Sequence, residues 1–587
     1  MILDIGRARS KFLPHALVIA WGAAVAAPAA AVELPLGDDW SGSFDTTLSV
    51  GVGVRASSPD CRFIGQDSGG CASTDPTPIA RANGDFSQSY DGARLNQDYG
   101  TRNFKKGEAY SARVGGVSEL FLKNRPADFS GLIRFSYQYD ARAGKSVRFG
   151  EQNDAAHDFA TRDVTLLDAY VSKIVSVADQ DVRVRIGNQA LSWGENLFIP
   201  GGVNATNAID VRKSHQPGVQ LKEIGLPAPM LNVSAGLGAG FSLEAYYQAM
   251  WNAYEFDAPG TFFSTNNALG RGPSALYVAS SALGLPVGSV TNGNSSQPNV
   301  IPHGSDRRVS SQGQFGVALR RQEESGNELG LYYYRYHDKI PFLSFIADPA
   351  TTRNPLGLGG YQREYGEYRS LYGASYNMRL GEWMVGLEGS YRPRDAVSID
   401  PTIVVNPNNP YACVGREAGY RCRGAVDTEK WQFHVTGNHI MSPSGSLGWL
   451  MTGLGADEGT ILAEAVLAAT PRLKDGVPYA VTADYRSPTK TSTGAVAQVS
   501  LTYSNAFGTR ASLIPEVTVS QGISGISATP TPGFVKGAGA VNLGLTVDLK
   551  TATSSKIRGD FTYYYGGGTA NPMLDRKNAQ ITYVMSF

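Results

Sequence analysis

The sequence predicts an all-β chain, a transmembrane antiparallel β-barrel of about 18 strands (14 to 18). Three observations predict it: strands with one apolar and one polar face, connections that alternate short and long, and a last strand ending in phenylalanine. The stretch "IRFSYQYDAR", Ile133 to Arg142, sets the pattern. Ile133, Phe135, Tyr137 and Tyr139 alternate with Arg134, Ser136, Gln138 and Asp140, the period of a strand with two unlike faces. In a soluble sandwich the apolar face meets a second sheet; in an outer-membrane barrel it meets lipid and the polar face lines a lumen.

Composition excludes more than it selects. The 587 residues carry formal net charge zero, so there is no basic excess for nucleic acid and no charged binding tail. Past the N-terminus no run approaches the roughly 18 consecutive apolar residues of a spanning helix. A membrane reading therefore rests on strands.

Residues 1–31 read as a Sec-type signal peptide. Arg7, Arg9 and Lys11 precede an apolar run from Phe12 through Ala27, and Ala29-Ala30-Ala31 offers small residues for cleavage. Residues 32–587 then form one barrel domain in the outer membrane of a Gram-negative bacterium. Cys61 and Cys71 lie in one polar, Gly-rich stretch and Cys413 and Cys422 in another. Local pairing of each is the simple expectation in an oxidising compartment. Zinc is the rival, but no histidine stands near either pair, so neither a metal nor a cofactor is expected.

Alternation then recurs along the chain. "FSLEAYYQAMW" sets Phe241, Leu243, Ala245, Tyr247, Ala249 and Trp251 against Ser242, Glu244, Tyr246 and Gln248. "WMVGLEGSYR" sets Trp383, Val385, Leu387 and Tyr391 against Glu388, Ser390 and Arg392, and "VRVRIGNQ" sets Val182, Val184 and Ile186 against Arg183 and Arg185. Short turns at 123–128, 177–181, 236–240, 322–327, 380–383 and 505–510 alternate with long polar segments near 56–107, 143–161, 195–217, 253–308, 339–362 and 395–428. Barrels with periplasmic turns and extracellular loops show this asymmetry. The segment 443–459 reads partly helical, as an enlarged periplasmic turn. Strand pattern starts near Ser43, which leaves no room for a plug domain. The ending "AQITYVMSF" resembles the signal by which barrels are recognised for assembly, with Phe587 as its terminal residue. The expected partners are outer-membrane lipid, lipopolysaccharide and the barrel-assembly machinery.

The inward set on this alternation includes Arg113, Glu119, Arg134, Asp140, Arg183, Arg185, Glu244, Arg369, Glu388, Arg392, His434, Glu464, Glu516, Arg558 and Asp560. Both signs are present, so no simple ion selectivity follows. Each of these charges either braces a polar interior or touches cargo. The segment "RIGNQALSWGENLFIPGGVNATNAIDVRKSHQPG", Arg185 to Gly218, is the expected constriction. A loop rich in Gly and Asn can turn inward and place Gln189, Trp193, Glu195, Asn204, Asn207 and Asp210 in the channel. Alternatively, Trp193 anchors the loop to the wall and Glu195 pairs with Arg183 or Arg185.

Ser192-Trp193-Gly194-Glu195 with its Gly/Asn/Asp/Pro-rich continuation, "NQDYGTRNFKKGE" upstream and "SLEAYYQ" downstream resembles the proteobacterial outer-membrane DUF1302 family. The resemblance implies a large barrel, often encoded near a periplasmic lipid-handling protein and an inner-membrane exporter of the resistance-nodulation-division type. Ala208 follows Asn207 where that family suggests proline.

Apolar loop content in "YEFDAPGTFF" and "SALYVASSALGLPV" (253–287) and in "IPFLSFIADP" (340–349) marks either an exposed capture site or a cork in the mouth. Either role favours passive, gated uptake of hydrophobic or amphipathic small molecules of the fatty-acid, steroid or aromatic-acid type. A hydrophilic substrate-specific porin or lipid-export portal is the alternative. A hydrolase comes last, since "HIMSPSGS" offers no orienting partner for a catalytic serine, and "GLGAG" is a turn with no helix after it.

The first test concerns the cysteines. Non-reducing peptide mapping should recover Cys61–Cys71 and Cys413–Cys422, whereas free thiols or a bridge between the pairs would overturn the assignment.

Overall fold

A strand that crosses a bilayer must satisfy every backbone N–H and C=O within the protein, because hydrocarbon offers no partner. The chain meets this requirement by closing on itself. A computed structural model describes residues 32–71, 94–144, 153–290, 297–401, 410–480, 482 and 486–587; the expected signal peptide lies outside them. Eighteen antiparallel strands form the barrel. They are β1 (Trp40–Arg55), β2 (Ala109–Asn124), β3 (Phe129–Asp140), β4 (Arg162–Val177), β5 (Gln180–Gln189) and β6 (Ala228–Gly238). Next come β7 (Phe241–Gln248), β8 (Gln314–Gln322), β9 (Glu328–Tyr336), β10 (Arg369–Leu380), β11 (Trp383–Ser398) and β12 (Ala425–Met441). The remainder are β13 (Glu458–Ala469), β14 (Thr491–Thr502), β15 (Ser512–Ser524), β16 (Gly539–Asp548), β17 (Lys556–Tyr565) and β18 (Asn578–Ser586).

Each strand pairs with the next, and β18 closes on β1 from Thr47↔Ser586 to Arg55↔Asn578. Phe587 ends the seam: its N–H donates to Thr46 O at 2.9 Å, and Thr46 N–H donates to Phe587 O at 2.7 Å. Beyond it, the short strand Val32–Pro35 takes over the same edge of β1, from Val32↔Phe44 to Pro35↔Ser41. The first described strand and the C-terminal residue thus share one sheet edge. The expected short turns and long loops fall on opposite rims. The enlarged turn between β12 and β13 carries a helix, α1 (Gly448–Leu454).

The outer wall is apolar. Val52, Ile133, Val171, Ile186, Leu331, Val435, Leu545 and Ile581 are all exposed on it, so the aromatic face of "IRFSYQYDAR" does look outward. Near the long-loop rim, Tyr333, Tyr372, Tyr391 and Trp431 stand in direct cross-strand register. Their rings follow one another at 5.2, 6.4 and 4.3 Å, an aromatic girdle of the kind that marks the bilayer interface. Trp383 and His439 stack at 4.7 Å near the opposite rim. At ~3.3 Å per residue and ~40° tilt, the path from Trp431 to His439 spans about 20 Å, near the height of a lipid-facing band.

One expected outward residue departs from this face. Trp251 follows the end of β7, and its Nε1–H donates to Asp338 O at 3.2 Å while its ring meets Tyr365 at 4.7 Å. Alternation cannot be carried past a strand's last ladder pair, and here that pair is at Gln248.

The in–out register of β5 is testable at Ile186, which faces Val171 across the outer wall. Val184 serves less well, because it lies opposite Lys173, whose long stem carries its charge toward the interface. Ile186→Arg should destabilise the barrel by about 2–4 kcal/mol if it lies near the midplane and so lower the folded, heat-modifiable yield, while inward Arg183→Ala leaves the yield unchanged. Equal yields would mean the register is inverted.

Candidate functional site

The connection from β5 to β6, residues 190–227, does not stay at the rim. It leaves β5 after Gln189, whose buried amide donates to Met230 O at 3.1 Å. It then crosses to the far wall and returns along β2, β3 and β18. Its backbone groups would be orphans inside the lumen unless side chains met them. Two carboxylates on the inner wall do most of this.

Glu464 of β13 accepts from three consecutive N–H groups with one oxygen: Leu197 at 3.2 Å, Phe198 at 2.6 Å and Ile199 at 2.8 Å. Its other oxygen is 2.7 Å from His434 Nδ1. Gln432 donates to His434 Nε2 at 2.9 Å, which places the imidazole proton on Nδ1, pointing at Glu464. Glu388 of β11 accepts from Glu195 N–H at 2.8 Å and from Val203 N–H at 2.7 Å, one on each oxygen. This approach requires glycine. A Cβ at Gly194 would lie 2.3 Å from Glu388 Oε2, and one at Gly202 would lie 2.0 Å from Oε1; both residues have positive φ. The carbonyls are met as well: Gln432 donates to Pro200 O, Arg392 to Gly202 O and Tyr334 to Val203 O, at 3.2, 3.2 and 2.7 Å.

Trp193 is 2 % exposed. Its ring packs against Tyr246, Tyr332 and Tyr334 at 5.3, 5.8 and 6.2 Å, and its Nε1–H donates to Glu244 Oε2 at 2.8 Å. Of the two expectations for this residue, wall anchoring describes it. The expected pairing of Glu195 with Arg183 or Arg185 is not what the structure holds: its carboxylate accepts from Asn377 Nδ2 on β10 at 3.0 Å. Arg185 instead lies over the Tyr170 ring at 4.5 Å, and Arg183 is exposed. The loop has simply carried Glu195 past β5 to another wall.

Asn204, Asn207 and Asp210 also differ from expectation, for they brace the loop rather than present side chains to a passage. Asn207 binds Leu191 N–H and O at 3.1 and 2.6 Å and donates to Asn204 Oδ1 at 2.6 Å. Asp210 pairs with Arg212 at 2.7 Å. The return leg is fixed by Lys213 donating to Ser136 at 2.8 Å, Gln580 donating to His215 O at 2.9 Å, and Arg113 facing Glu223 at 3.4 Å. Arg134 joins Glu119 and Asp168 at 2.7 and 2.6 Å.

The loop separates two cavities. β9 runs from Glu328 to Tyr336, and its two ends line different ones. Toward the short-turn rim, a cavity of about 310 Å³ is lined by Arg185, Ser192, Glu195, Glu244, Arg320 and Glu328. Toward the long-loop rim, a cleft is lined by Gly201, Tyr254, Tyr336, Lys339, Phe342 and Arg392. The Lys339 ammonium donates to the neutral Asn252 Oδ1 at 3.2 Å, and Arg392 and Lys430 flank Asp395 at 3.7 and 3.3 Å. Lys339 carried no signal in sequence, since it lies outside every alternating stretch.

The apolar loop segments take one of their two expected roles. Phe262, Phe263, Leu276, Val278, Phe342 and Phe345 are buried and form a cork, while Leu285 and Val287 of the 253–287 stretch stay exposed. A three-stranded sheet of Phe342–Ala347, Leu358–Glu364 and Arg421–Cys422 roofs the mouth beside the Cys413–Cys422 bridge, and the Cys61–Cys71 bridge is present too.

No curated protein matches the sequence. Among solved structures, the chain is similar to Pseudomonas aeruginosa OpdK with vanillate (9% identity, 93% of this chain and 98% of that chain, TM-score 0.35). It is similar also to Acinetobacter baumannii OccAB2 (8%, 93% and 98%, 0.40) and to the outer membrane channel DcaP of Acinetobacter baumannii (10%, 95% and 100%, 0.34). Agreement of that degree says nothing of loops, lumen or cargo. The family model described as "Protein of unknown function (DUF1302)" matches residues 12–587.

Glu464→Ala removes the acceptor of three N–H groups, each charge-assisted bond contributing about 1.5–3 kcal/mol. The loop should come loose inside an intact barrel, read as new tryptic cleavage after Arg212, Lys213 or Lys222 at unchanged folded mobility. Cleavage equal to wild type would mean that the loop is held elsewhere.

Proposed function

Since the chain belongs to the DUF1302 family, we propose from the geometry of its lumen that it is a loop-gated outer-membrane channel for small amphipathic molecules. The observation that carries this reading is the 190–227 loop, fastened across the lumen by Glu388 and Glu464. A loop held across the lumen in this way narrows the passage and can gate it.

The cleft above the loop supports the cargo class. Tyr254, Tyr336 and Phe342 give it an apolar wall, Lys339 and Arg392 give it cationic edges, and the two carboxylates that also line it, Asp338 and Asp395, are engaged by Arg369 and by Arg392 and Lys430. A flat apolar body with a carboxylate head fits both features. Burial pushes the Lys339 amine down to about 7, so it is charged below that pH and neutral above. Capture of a carboxylate should then be strongest below pH 7 and fade as the pH rises through it.

Planar-bilayer recording tests the proposal with benzoate, decanoate and glucose as probes. Wild type should conduct little until a carboxylate probe is added, with a weaker response at pH 8 than at pH 6 and in Lys339→Met. Trp193→Ala with Glu195→Ala should raise the basal current. A large wild-type conductance indifferent to all probes would overturn the gated reading in favour of a general porin.

A further inference from the structure

Most connections on the short-turn rim are brief and polar, as water requires. The one between β12 and β13 is neither: it runs through Leu447, Trp449, Leu450, Met451 and Leu454. Parity places it. His434 and Glu464 face the lumen, so Met441 and Ile461, at odd offsets from them, face outward. Met451 of α1, with Leu447, packs into one cluster with Met441, Ile461, Leu501 and Tyr503. The helix therefore lies against the outside of the barrel, on the lipid side.

It is held there. Glu382 accepts from Ser446 N–H at 2.9 Å and from its hydroxyl at 2.6 Å, beside the Trp383–His439 stack. At the far end, Ser504 N–H donates to Asp457 at 2.6 Å, which brings up the neighbouring turn carrying Phe507. With one face of the helix packed inward, the other is left uncovered: Trp449 is 73% exposed, Leu454 48% and Phe507 83%. These side chains sit just beyond the lower end of the lipid-facing band and are continuous with it.

We propose that α1 and the Phe507 turn form an interfacial anchor that inserts Trp449, Leu454 and Phe507 among the headgroups and upper acyl chains of the periplasmic leaflet. The partner is a phospholipid surface. A short amphipathic helix with an outward tryptophan suits that boundary, where one end of the indole is apolar and the other wet. The segment is then a stop that sets how deep the barrel sits, rather than a periplasmic turn in water.

The test compares tryptophan emission of wild type and Trp449→Phe, both reconstituted in phosphatidylcholine vesicles with or without bromine on the upper acyl chain. The difference spectrum isolates Trp449. It should be quenched severalfold more by brominated lipid than by aqueous iodide. Phe507→Trp on the wild-type background should add a second lipid-quenchable emission, which keeps the test available if Trp449→Phe lowers folded yield. Quenching of either residue by iodide and not by brominated lipid would overturn the proposal and return the segment to water, or to a protein partner.

Discussion

Glu388 and Glu464 hold the interior of this barrel together. Each lies on the inner wall far from β5, and each accepts backbone N–H groups of a loop that has crossed the lumen to reach it. Charged acceptors in a water-poor interior bind such groups strongly, and leaving either side unpaired is costly. Gly194 and Gly202 are there because the carboxylate comes too close for a side chain. Trp193, Tyr334, Gln432 and Arg392 complete the attachment. The two cavities exist as separate spaces only because the loop is held between them.

The outer wall obeys the opposite rule. Its solvent is lipid, so aliphatic residues face outward and aromatic rings mark the borders, joined across strands in register. Charges are concentrated on the inner face, where they find a counter-charge: Arg134 with Glu119 and Asp168, Arg558 with Glu516 and Asp560, Glu244 with Arg320; Lys173 is an outward exception at the interface. An interior so balanced attracts neither sign over the other at long range. Discrimination then has to come from shape and from local groups such as Lys339.

The mouth combines both rules. Long loops bring apolar residues that would be a liability in water, and they bury one another: Tyr110 stacks on Phe262 at 4.4 Å, while Phe345, Tyr361, Leu276 and Ile301 share a cluster. A small roof sheet and the Cys413–Cys422 bridge tie these segments down. The result is a rigid collar around the cleft, with order supplied by packing where lipid no longer supplies it.

Sequence by itself determined the barrel, its two faces and its two rims, because a period of two and a turn-length asymmetry are local properties that any residue's neighbours reveal. Arg134, Glu388 and Glu464 were legible as inward for that reason, and the cysteine pairs as local. What these residues touch was not legible. Glu195 meets Asn377 and not Arg183 or Arg185, Asn207 clasps Leu191, and Trp251 folds into the mouth. A loop's path depends on which distant acceptors its backbone finds, and that information resides in walls brought together only by closure. The same holds for α1, whose helical character is readable in "GWLMTGL". Its place on the lipid side is decided by Met441, Ile461 and Leu501, residues from three strands that only the folded sheet sets side by side.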